Sequence, residues 1–132
     1  MKREYLVGGL VVALLGLLMW AVVEGRSETV DPQAAAREQR LQVEIESGLK
    51  NAATAAETYA VDNNGSYEFA DESDLIAMGL QLPPNVAVAL LETEESRYCI
   101  ILEHARLPAD HAWKIASYSS DVGTPMADDD CP

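Results

Sequence analysis

Between Tyr5 and Val23 the chain reads YLVGGLVVALLGLLMWAVV, with neither a charge nor a proline. As a helix rising 1.5 Å per residue, such a run reaches across a hydrocarbon core of roughly 30 Å. Lys2 and Arg3 lie on one flank, so the excess of cytoplasmic positive charge puts the N-terminus inside and the rest outside. Tyr5 and Trp20 stand near the two ends, where membrane-interface aromatics are enriched. The competing reading is a cleaved secretory signal ending at Val23-Glu24-Gly25. That junction lacks an Ala-x-Ala pattern, and the apolar run is longer than a usual signal core. The expectation is a single-pass anchor in the cell membrane over residues 1–24, with the remainder extracytoplasmic.

A chain of 132 residues has room for one small domain besides this anchor. Its net charge of −13 argues against a nucleic-acid partner, because phosphates call for a basic patch and none is visible. Phenylalanine occurs once, and much of the apolar content after the anchor is alanine and valine. A core built this way is thin, and a covalent staple would help it. Cys99 and Cys131 are the only cysteines, and both follow the anchor. In an oxidising exterior a disulfide is the favoured reading over a metal site, which needs further Cys or His close by. The loop so closed is worth roughly 3–4 kcal/mol by the chain-entropy argument. Two unpaired buried thiols are the alternative.

Residues 25–31 form a polar linker, and Asp31-Pro32 then reads as an N-cap followed by proline at the first helical position. Leu41, Ile45, Leu49, Ala52, Ala56 and Tyr59 recur at steps of three and four, one face of a helix over residues 32–62. Asn63-Asn64-Gly65 can take up the left-handed conformations that stop it. The first half of this helix, PQAAAREQRLQVE, is polar nearly all round, so it stands free or contacts another chain. Leu41, Ile45 and Leu49 are expected to be the face it offers for assembly. A short helix follows, with acidic residues before Leu75-Ile76-Ala77-Met78 and Gly79 behind. After Pro83-Pro84 come three strand-like runs, VAVALL (86–91), RYCIILEH (97–104) and WKIASYS (113–119), joined by loops short enough for an antiparallel meander. Alternation puts Tyr98, Ile100 and Leu102 on one face of the second run and Cys99 and Ile101 on the other. The expected class is α+β: a long helix packed on a three- to four-stranded antiparallel sheet, over residues 32–132.

This order of parts resembles the type IV pilins and their pseudopilin relatives. LKNAATAAETYAVDNNGSYEFADESDLIAMGL looks like that family's helix end and following loop, SRYCIIL like its second strand, and Cys131 like its closing cysteine. The likeness spans roughly residues 37–131. It implies a helical spine packed on a small sheet, membrane attachment, and work through contacts with other pilin-like subunits or assembly proteins. The setting implied is a type IV pilus or a type II secretion-like system. The N-terminus differs from the family pattern: MKREYLVGGLVVALL has no standard prepilin processing motif, and Glu4 precedes the apolar run. A second reading is a non-polymerising, membrane-anchored binding module with the same fold.

Candidate chemistry is sparse. His104 and His111 could ligate a metal only with carboxylates such as Glu103 or Asp110 at matching geometry, and surface-loop histidines are the simpler reading. Asp121, Asp128, Asp129 and Asp130 have oxygen chemistry suited to calcium, which some pseudopilins bind in this region. They lack the alternating spacing of a calcium loop, and the alternative is a solvated tail. No other cofactor is implied. No serine elbow, phosphate loop or His-Glu-x-x-His stretch occurs, so no enzyme activity is expected. Tyr59, Tyr67, Tyr98 and Tyr118 read as packing residues with solvated hydroxyls.

Overall fold

A computed structural model describes residues 31–68 and 70–131. The span expected over residues 5–23, with Tyr5 and Trp20, lies outside the described residues. Among those described, no helix is long and apolar enough to cross a membrane.

Helix α1 runs from Pro32 to Asp62, about 46 Å at 1.5 Å per residue. It ends by local chemistry. Asn64 adopts a left-handed φ of 59°, and the Gly65 N–H reaches back 2.7 Å to the Ala60 carbonyl. This is the six-to-one closure that satisfies helix-end carbonyls, with asparagine in the position glycine more often fills. Helix α2, Glu72–Ala77, is closed at both ends. Asp71 accepts the Asp74 N–H at 2.9 Å while the Asp74 carboxylate accepts the Asp71 N–H at 3.1 Å. At the other end the Leu80 N–H meets the Leu75 carbonyl at 2.8 Å around Gly79, whose φ is +100°. The Ser73 hydroxyl, then the Asp74 N–H, hold the Asp71 carboxyl below its ordinary range.

Strands β1 (Val86–Thr93), β2 (Tyr98–His104) and β3 (Ile115–Ser119) form an antiparallel meander in that order. Leu102 stands opposite Val88 and Ala116, and Ile100 opposite Leu91 and Tyr118. A bulge between Val88 and Leu90 shifts the β1 register by one residue. One face of the sheet takes Tyr98, Ile100, Leu102 and Ala116 into a core shared with Ile45, Leu49, Ala52, Ala53, Ala55 and Ala56 of α1. The small residues bring helix and sheet close. A Cβ built on Gly48 would lie 3.2 Å from Leu102 Cδ1 and 3.4 Å from Pro83 Cδ.

One expectation is corrected by this packing. Leu41, Ile45 and Leu49 are not an assembly face. They are buried within the unit itself, Ile45 and Leu49 completely, because the stripe they form is the one the sheet covers. The second face of the sheet is not open either. Cys99, Ile101, Ser117 and Ser119, which alternate away from α1, are buried as well. Near them the C-terminal segment pairs with β3 through reciprocal 2.9 Å bonds between Ser117 and Met126.

Candidate functional site

The first half of α1 presents an open surface. Every residue from Pro32 to Arg40 is exposed. On the side opposite Leu41 and Ile45 the stripe Ala36, Gln39, Arg40, Val43 continues this open surface, at the three- and four-residue steps of one helix face. Val43 is 58% exposed although it lies level with buried Leu41 and Ile45. At 100° per residue Val43 is turned about 200° from Leu41, so burial of one leaves the other facing outward. Among the described residues neither Arg37 nor Arg40 has an ion-pair partner.

The inner side of the same helix half is fastened to the loop between β2 and β3 by two histidines. His104 is fully buried, a correction to the surface-loop reading. Its Nε2 lies 3.0 Å from Glu44 Oε2, and its Nδ1 accepts the Arg106 N–H at 3.2 Å. The backbone N–H fixes the tautomer: Nδ1 carries the lone pair and Nε2–H donates to Glu44. His111 repeats the wiring. Its Nδ1 accepts the Trp113 N–H at 3.1 Å, and its Nε2 stands 3.9 Å from Glu38 Oε2. The Lys114 ammonium donates to the His104 carbonyl at 2.8 Å and pairs with Glu103 at 3.3 Å. Strand alternation held the signal for His104, which is in phase with Tyr98, Ile100 and Leu102. Glu44, one position from Ile45, was its natural partner. The His104–Glu44 pair is not arranged for general-base catalysis, since Nδ1 is occupied by a backbone donor and Nε2 by the carboxylate.

A second polar cluster lies toward the other end of α1. The Glu57 carboxylate accepts from the Tyr67 hydroxyl at 2.8 Å and the Tyr98 hydroxyl at 3.2 Å. The Tyr67 and Tyr98 rings meet at 4.8 Å, and Tyr118 stacks beyond Tyr98 at 6.2 Å. Burial, reinforced by Glu57, pushes the Tyr67 hydroxyl up to about 12 and the Tyr98 hydroxyl higher still. The Tyr98 hydroxyl is thus bonded within the fold, unlike the solvated hydroxyl expected of it, whereas the Tyr67 hydroxyl makes its bond at the surface. Beside them an open groove of about 320 Å³ is lined by Lys50, Thr54, Glu57, Tyr118, Thr124 and Pro125.

Cys99 and Cys131 form a disulfide, with their Cα atoms 5.7 Å apart. The aspartates of the tail are used individually. Asp128 accepts the Ser117 hydroxyl at 2.6 Å, and Asp121 lies 4.0 Å from Arg97. The structure does not gather Asp121, Asp128, Asp129 and Asp130 into a calcium cage. Among the described residues no group of three or more His, Cys, Asp or Glu side chains is placed to hold a metal ion.

No protein-family model matches the chain, and no curated protein matches it.

Proposed function

We propose that the protein is a membrane-anchored, pilin-like structural protein, without enzymatic activity, that works through protein–protein contacts in a type IV pilus or type II secretion-like assembly. The observation that carries this reading is the two-sidedness of α1. One face of its second half is packed against the sheet, whereas residues 32–40 are exposed all round and Val43 extends that open surface along the stripe Ala36, Gln39, Arg40. An exposed, mostly polar helix half gains little from propensity alone and is best explained by contacts with another chain. In this proposal the assembly surface is this outer stripe, since Leu41, Ile45 and Leu49 are buried within the unit. The α+β build and the disulfide-tied tail support the reading, as does the resemblance of residues 37–131 to pilins.

The test is a photo-crosslinker placed at Arg40 or Val43 and activated in intact cells at native expression. Ladders of multimers, or adducts with assembly proteins, are the expected outcome. A clean monomer at both positions would sink the assembly reading and leave the anchored, non-polymerising binding module. Glu44 is unsuitable as a probe site because it holds His104.

A further inference from the structure

We infer that the β2–β3 loop is a pH-responsive brace: proton uptake by His104 and His111 breaks the two bonds their rings accept from loop backbone N–H groups while drawing each ring more firmly onto α1. The geometry is the same at both ends of the loop. His104 Nδ1 accepts from Arg106, two residues on, and His111 Nδ1 accepts from Trp113, two residues on. In each ring the nitrogen that would receive the added proton is the one facing a backbone N–H. An imidazolium there turns an acceptor into a donor pointed at a donor, so the charged ring and the backbone bond exclude each other. At each Nε2 the effect is opposite, because Glu44 at 3.0 Å and Glu38 at 3.9 Å gain an ion-pair partner.

The charged groups around the two rings leave this balance in place. From α1 they are Glu38 and Glu44, with Arg37 adjacent to Glu38 and Arg40 one turn before Glu44. From the sheet and loop they are Glu103, Arg106, Asp110 and Lys114, and Lys114 is already engaged by Glu103 and the His104 carbonyl. The loop's outer attachments do not involve the rings. Ala105 donates to the Asn85 carbonyl at 2.7 Å, and His104 donates to the Lys114 carbonyl at 3.0 Å. Within the loop, Leu107 donates to the His104 carbonyl at 3.3 Å, His111 to the Pro108 carbonyl at 3.1 Å and Lys114 to the His111 carbonyl at 2.9 Å, again without the rings, so the change centres on the Arg106 and Trp113 amides. Leu107, which is buried, lies next to Arg106 in that loop. The loop flanks the inner side of the exposed helix half, so acid would reshape the surface beside it whether or not that half docks a partner.

The experiment is an NMR titration of the full chain in detergent micelles from pH 8 to pH 5. It follows the two imidazole rings and the amides of Arg106 and Trp113. Both amides are expected to shift with the midpoint of their own ring and to lose protection on the order of ten-fold. The variant His111→Asn keeps an acceptor near the Nδ1 position but cannot charge, so its Trp113 amide should hold still while the Arg106 amide still moves. His104→Asn should give the converse, and His111 alone suffices if that variant fails to fold. Rings that charge while both amides stay put would overturn the proposal. So would rings that remain neutral to pH 5, or amides that move equally in the asparagine variants.

Discussion

Glu57 and Tyr98 meet at 3.2 Å across the helix–sheet interface, and the other oxygen of the same carboxylate holds Tyr67 at 2.8 Å. One side chain of α1 thereby ties the central strand and the post-helix loop to the same turn. Both bonds require the tyrosines to be protonated. Burial and the adjacent carboxylate raise the folded-state values, Tyr67 to about 12, above the value near 10 of an unfolded chain. The unfolded chain gives up these protons first. The stability they contribute is thus complete below pH 10 and is lost as pH rises from there through 12. Melting temperature measured between pH 9 and 12 should fall more steeply for the parent than for the double variant Tyr67→Phe, Tyr98→Phe. Parallel slopes would count against the arrangement.

Gly48 marks where α1 and the sheet touch most closely. Alanine there gains roughly 0.8–1 kcal/mol in helix propensity and presses its Cβ to 3.2 Å from Leu102. Gly48→Ala should therefore stay within about 1 kcal/mol of the parent. Gly48→Val adds methyl groups with no space to enter and should lose about 1–3 kcal/mol. Denaturant unfolding of the pair checks the contrast, and a harmless valine would mean the interface is looser than the distances indicate.

Replacing Glu44 separates a buried bond from a surface charge. Glu44→Ala leaves the Nε2–H of fully buried His104 without its acceptor, a loss of roughly 1–3 kcal/mol. Glu44→Gln removes the same charge but keeps a carbonyl oxygen in reach, and should lose less than half as much. Urea midpoints at neutral pH decide it; equal losses would point to charge and not to the hydrogen bond.

Cys131→Ser should lower stability by roughly 3–4 kcal/mol, the closure entropy of the segment between residues 99 and 131. It should also raise amide exchange at Ser117 and Met126, because the tail that pairs with β3 is no longer pinned at its far end. Reductant added to the parent should reproduce both effects. An unchanged melt would show that Ser117–Asp128 and the Met126 bridge hold the tail without the disulfide.

Much of the fold was legible because it rests on neighbours in the chain. Asp31-Pro32 starts α1 and Asn63-Asn64-Gly65 stops it, since both signals act through local dihedrals and unpaired backbone groups. The capping box at Asp71, the glycine at the end of α2, and the three strand-like runs belong with them. The pairing of Cys99 with Cys131 was also foreseeable, with only two cysteines available.

Tertiary structure alone decided what covers each face. Periodicity places Leu41, Ile45 and Leu49 on one stripe but is silent on whether a sheet or another chain lies against it. Only the packed unit buries that stripe and leaves Ala36, Gln39, Arg40 and Val43 outside. Ser117 and Ser119 alternate as outward-facing residues, yet both are buried, and Ser117 is paired with the returning tail. His104 finds Glu44 across 60 positions of chain. Backbone conformation is set within a few residues and leaves its mark in the sequence. Burial and charge pairing depend on which distant surfaces meet, and that is settled only when the chain closes on itself.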